Sequence, residues 1–158
     1  MALFSRTSTI ADAGLASSQL YNQDTFYDAL DRDLRHAKSL VVIESPFITR
    51  KRIARLLPTL QRLRRCGVKV IINTKPFSEH EGDMVNHSID GVAALQDVGV
   101  KVLMTGGHHR KIAIIDDILY EGSLNILSQN DSCEFMRRIQ SRVLAEQMLK
   151  FISIGKWL

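Results

Sequence analysis

Apolar positions along the chain switch between two periods. Leu30, Leu34 and Ala37 recur at helical spacing behind Asp24, which can cap a helix, and predict a helix over about 25–38. Leu40-Val41-Val42-Ile43 is instead a continuous, β-branched run ended by Ser45-Pro46, the pattern of a strand buried on both faces. Ile53, Leu56, Leu57, Leu60 and Leu63 return to one helical face, with Pro58 inside it as an expected kink or split. Gly67 then follows a basic turn and predicts a helix stop, and 68–72 reads as a second buried strand. The polar stretch 74–86 reads as a loop, and Ser88 as the cap of a short helix to about 97, closed by Gly99. Strands are expected at 100–104, 111–115 and 118–121, the last two joined by the tight turn Asp116-Asp117. A final helix is expected over 138–152, with Leu144, Met148 and Phe151 facing inward.

Helices that alternate with buried strands mean an α/β sandwich around a mixed sheet, and the hairpin makes at least one pair antiparallel. The expected sheet is mostly parallel. The chain of 158 residues is long enough for one domain with its own core, taken as 24–158 behind an N-terminal extension 1–23. Apolar residues at 45% and charged residues at 24% exclude a disordered tail, a collagen-like fibre and a coiled-coil rod. No run approaches the ~18 apolar residues of a membrane span. Cys66 and Cys133 have neither disulfide-framework nor metal-site spacing and read as buried thiols in a reducing compartment. The N-terminus lacks a continuous apolar block, so a cytoplasmic protein is the simplest reading; the small residues Ala13-Gly14-Leu15-Ala16 keep a weak export signal as the alternative.

Charge changes this picture through its distribution. The net charge is only +4, but no acid occurs from Ser45 to Lys75, while Arg50, Lys51, Arg52, Arg55, Arg62, Arg64 and Arg65 all fall there. A one-signed segment is what a polyanion selects, and a solvated helix face is the plainer alternative.

The chemistry concentrates in 105–138. His109 and Lys111 are two residues apart, so in a strand they share a face, with Asp116 four apolar residues beyond. Ser123 and Asn125 share a face in the same way behind Gly122, and Glu134 follows nine residues later. This set suits phosphate chemistry. An imidazole can attack phosphorus, Lys, Ser and Asn can hold the non-bridging oxygens, and a carboxylate can fix the imidazole tautomer. No metal or other cofactor is required.

His109-Arg110-Lys111 with Asp116, then Gly122-Ser123-Leu124-Asn125, resembles the signature H-x-K-x-x-x-x-D and G-S-x-N of the phospholipase D superfamily. Ile43-Glu44-Ser45-Pro46-Phe47 also looks like that family's first core strand, and the resemblance runs from about 24 to the end. It implies an α/β/α sandwich and an active site needing two H-x-K motifs. This chain carries one, so the resemblance implies a homodimer with the site on its two-fold axis, like the small single-motif endonucleases. By that likeness one His109 attacks the phosphodiester, the other protonates the leaving alcohol, and Lys111, Ser123 and Asn125 bind phosphate. Glu134 orients the imidazole, and Asp116 is more a structural partner than a chemical one.

Other readings stay beside this one. His108 precedes the motif histidine, but only His109 has Lys two residues on; His108, His80 and His87 read as loop residues, and Cys133 as a small packing residue. The expected activity is that of a metal-independent phosphodiesterase that cuts nucleic acid, DNA before RNA, with no stable membrane association. A phospholipid hydrolase or phosphatidyltransferase is the second reading, and a weakly catalytic nucleic-acid-binding module the third.

Overall fold

The computed structural model describes residues 14–128 and 132–158. The elements follow in order: β1 (Gln19–Asn22), α1 (Phe26–His36), β2 (Leu40–Glu44), α2 (Arg50–Arg65), β3 (Lys69–Thr74), α3 (Asp83–Asp97), β4 (Lys101–Met104), β5 (Ile112–Ile115), β6 (Ile118–Gly122), β7 (Phe135–Gln140) and α4 (Arg142–Phe151). The strands form one sheet in the order β1-β7-β6-β5-β2-β3-β4.

Strand alternation divides the core between two layers. Val41, Ile43, Val70, Ile72, Ala113 and Ile115 face α1, α2 and α3. Val42, Ile71, Ile112 and Ile114 face the opposite layer, built by Ala145 of α4 and by Ile152 and Ile154 after it. The central strands are buried on both faces, which is why they read as unbroken apolar runs. The expected α/β/α sandwich around a mixed sheet is what the chain forms. The balance of pairings differs: β2–β3 and β3–β4 are parallel, while β2–β5, β5–β6, β6–β7 and β1–β7 are antiparallel. The sheet is therefore not mostly parallel, because only the two βαβ crossovers force parallel neighbours.

Several boundaries move from their expected places. Residues 19–22, expected within an N-terminal extension, form the edge strand β1 on β7, and residues 1–13 lie outside the described residues. The Asn22 side chain, not Asp24, organises the start of α1, accepting from the amides of Asp24 and Thr25. Helix α2 runs unbroken through Pro58, capped by Thr49. Helix α3 begins at Asp83, so His87 and Ser88 lie inside it rather than in a loop or at a cap.

Strand β7 falls where the final helix was expected to begin. Its core face carries Met136 and then Arg138, a charged residue whose alternation hides the strand. Arg138 is tolerated there because its Nε donates to Asp33 at 2.6 Å, and the Tyr120 hydroxyl donates to the same carboxylate oxygen. Cys66 and Cys133 are both exposed, not buried. Among the described residues no helix is long and apolar enough to cross a membrane.

Candidate active site

The candidate reacting groups come from strand ends. β5 runs antiparallel to β2, with Ile112 opposite Glu44, so His109, Arg110 and Lys111 approach the sheet beside the C-terminal end of β2. β6 returns with Glu121 opposite Ile112, which brings Gly122, Ser123 and Asn125 to the same end. Gly122 has to be glycine: a Cβ there would collide with the Phe135 carbonyl and with Met136. The Ser123 amide donates to the Phe135 carbonyl at 2.9 Å, and the Ser123 hydroxyl accepts from the Phe135 amide at 3.2 Å. Those two bonds fix Glu134 next to Ser123.

Five predicted site residues, His109, Lys111, Ser123, Asn125 and Glu134, line one open cleft of about 500 Å³, together with Arg110 and Gly122. Lys111 Nζ lies 2.9 Å from His109 Nδ1 and donates to the His109 carbonyl at 2.8 Å. Burial pushes the Lys111 ammonium below the ordinary lysine value, with Glu134 opposing and Lys75 reinforcing that shift. Glu134 accepts from the Ser132 hydroxyl. The Asn125 side chain is buried with its Oδ1 unpaired, and its carbonyl accepts from the Tyr27 hydroxyl at 2.9 Å. Burial pushes the Tyr27 phenol up to about 12, so it stays a donor at any ordinary pH.

The histidine doublet is resolved by exposure. His109 opens to the cleft, whereas His108 is 4% exposed and burial pushes its pKa down. His108 is thus a buried ring whose neutral form is favoured. Asp116, in contrast, follows the other end of β5, whose four residues alone span about 13 Å. Its carboxylate accepts from the amides of Lys38, Ser39 and Leu40 and from the Ser39 hydroxyl. It fastens the β5–β6 turn to the start of β2 and touches nothing in the cleft.

A supporting layer around Glu44 was not singled out as part of the site from sequence. Glu44 is completely buried and accepts from Arg110 Nε at 2.5 Å, from Arg110 Nη2 at 3.0 Å and from Asn73 Nδ2 at 3.0 Å. Asn73 Oδ1 in turn accepts from the Thr105 hydroxyl. These hydrogen bonds hold the Arg110 guanidinium charged. The signal was present: a carboxylate that ends a fully apolar strand must find a cation.

The basic segment divides. Arg50 pairs with Asp90, and Lys51 is exposed on the first turn of α2, whose cap Thr49 donates its amide to the Leu127 carbonyl near the cleft. Arg52 corrects the expectation of a binding surface. It is 1% exposed, pairs with Asp31 at 2.8 Å and donates through Nε to the Ile126 carbonyl, one residue past Asn125. Arg55 is half exposed near the same Asp31. Arg62 and Arg64 donate to the carbonyls of Arg35 and Val68, and Arg65 is exposed. These last three sit some 20 Å along α2 from its first turn, at the end of the sheet away from His109.

Comparison with known proteins now has a site to be set against. A search of curated protein sequences gives no significant match. The fold is similar to a phospholipase D family member, Nuc from Salmonella typhimurium, with a TM-score of 0.69 at 19% identity over 85% of this chain and 90% of that one. It is similar to NucT from Helicobacter pylori, with a TM-score of 0.66 at 21% identity over 85% and 92%. A phosphatidylserine synthase from Haemophilus influenzae also matches, with a TM-score of 0.70 at 14% identity, over 87% of this chain but 36% of that one. The family model described as cardiolipin synthase, PLD-like domain, matches residues 30–154, most of the chain and the whole of the cleft. The chain belongs to the phospholipase D-like domain family, within a superfamily of phosphodiesterases.

Proposed function

We propose that the protein cleaves nucleic acid, DNA in the first place, as a metal-independent phosphodiesterase working through His109, with the active site shared between two copies of the chain. The observation that carries this reading is the convergence of His109, Lys111, Ser123, Asn125 and Glu134 on one open cleft. Among the described residues no apolar side chain lines that cleft, so they offer no seat for acyl chains. Lys75 adds positive charge beside Lys111, which favours a polyanion.

The chemistry follows from the resting geometry. With Nδ1 accepting from the Lys111 ammonium, the neutral ring carries its proton on Nε2 and is not yet a nucleophile. A phosphodiester in the cleft draws Lys111 onto its non-bridging oxygens, where Ser123 and the Asn125 amide also donate. Nδ1 can then carry the proton and donate it toward Glu134, leaving Nε2 free. Nε2 attacks phosphorus, a P–N bond forms and the P–O bond to the leaving alcohol breaks. A proton for that alcohol needs a second acid. Among the described residues the cleft contains one imidazole, so the acid is His109 of the partner subunit, which enters as the imidazolium after taking a proton from solvent. That ring, now neutral, takes a proton from water, which displaces His109 and releases a phosphomonoester.

Incubation with supercoiled plasmid, single-stranded DNA and labelled phospholipid in excess EDTA tests the substrate. DNA cleavage that vanishes in His109→Ala supports the reading. Turnover of the lipid alone would make the protein a phospholipid enzyme, and DNA binding without cleavage would make it a binding module.

A further inference from the structure

Arg110 lies between two concavities. Just before β5, His109 and Lys111 line the cleft, whereas Arg110 lines both the cleft and the side covered by the segment after α4. There a second groove of about 530 Å³ runs between β4 and the C-terminal segment, lined by Arg110, Asn73, Thr105, Lys101, Lys156 and Trp157 among others. Among the described residues its walls carry Lys101, Lys156 and Arg110 and no carboxylate, the Glu44 that pairs with Arg110 being buried beneath it. Trp157 is 40% exposed, with Lys101 Nζ 4.5 Å and Lys156 Nζ 5.3 Å from its ring centroid.

On the reading above, that the substrate is nucleic acid, we propose that this groove is a substrate subsite for a single strand running on from the cleaved phosphate. In it a base stacks on the Trp157 indole while Lys101 and Lys156 pair with backbone phosphates. A cationic groove with an aromatic platform is the minimal device for holding a single strand. An exposed ammonium on an aromatic ring is held more weakly than a stacked base, so both lysines can leave the ring for phosphate oxygens. The cleft and groove share Arg110, so the occupant of the groove is the polymer cut in the cleft. From β5 across β2 and β3 to β4 is three strand spacings, about 14 Å. A single strand covers that in roughly two to four nucleotides, at ~3.4 Å each when stacked and up to about twice that when extended.

The test compares wild type with Trp157→Ala and Lys101→Gln on an oligothymidylate of about 12 nucleotides, on a dinucleotide and on bis(p-nitrophenyl) phosphate. The variants should raise KM for the long strand about ten-fold, with less salt dependence for Lys101→Gln, and leave both small diesters unchanged. Trp157→Phe should restore most of the loss. Equal effects on long and short substrates, or no effect on either, would overturn the subsite. If wild type cuts the small diester but no oligonucleotide, the nucleic-acid reading itself has failed. The substrate subsite then falls with it, and fluorescence anisotropy of the labelled long strand separates the two failures: an affinity loss of about ten-fold in the variants keeps the groove as a single-strand binding site, and unchanged affinity in both removes that as well.

Discussion

Asp116 adopts a left-handed backbone, φ 51°, a conformation few residues other than Gly, Asn and Asp tolerate. Its carboxyl then meets three amides at the head of β2. Burial opposes its ionisation, but hydrogen bonds from Leu40, Lys38 and Ser39 outweigh that and hold it below the usual carboxylate value. A carboxyl whose folded value is depressed stabilises above its unfolded pKa, and that contribution is lost as pH falls through the folded value. Asp116→Asn keeps the backbone conformation and should cost about 1–3 kcal/mol near neutrality, with the deficit shrinking in acid. Urea unfolding across pH checks this; a deficit that grows in acid would refute it. At the same scale, the H-x-K motif alone separated His109 from His108, and burial of His108 gives the physical reason. Sequence could not reveal that Lys111 rests on the His109 imidazole, because that contact depends on the exposed approach to β5 and not on residue type.

Among the elements, those with one period along their whole length were legible: β2, β3, β5 and most of α1 and α2. Those with mixed signals were not. Met136 and Ile139 are spaced as on a helix, and the core position between them is held by Arg138 against Asp33, so β7 reads as helix until the ion pair is seen. Pro58 was expected to break α2, yet the helix continues because Ile53, Leu56, Leu60 and Leu63 are all buried against the sheet. The seven cations of α2 looked alike in sequence, and only packing sets Arg52 apart. It ties α2 to Asp31 of α1 and to the turn that follows Asn125. Arg52→Ala should destabilise by about 3 kcal/mol, because it leaves Asp31 with only the 4.0 Å contact to Arg55 and leaves a buried carbonyl unpaired. It should also lower kcat through a displaced Asn125, whereas Lys51→Ala should change neither. Thermal unfolding combined with steady-state kinetics checks both; a stability loss with kcat intact would detach the turn from catalysis.

On the proposed mechanism the reaction needs two histidines, and among the described residues the cleft holds one, so the account depends on pairing of copies. If wild type is mixed with excess His109→Ala and the subunits exchange, activity should fall roughly as the square of the wild-type fraction, the binomial share of intact dimers. A linear fall after verified exchange would mean that one chain holds a complete site. The central claim is that the imidazole of His109 becomes bonded to the phosphorus of a nucleic-acid phosphodiester with no metal present. It is tested most directly by quenching wild type, in excess EDTA, on an oligodeoxynucleotide that carries radiophosphorus at the cleaved linkage. The account predicts radiolabel on the protein that survives alkali, is lost in mild acid as a P–N bond is, and is absent from His109→Ala. Cleavage with no labelled protein at any quench time, or cleavage that EDTA stops and magnesium restores, would contradict it.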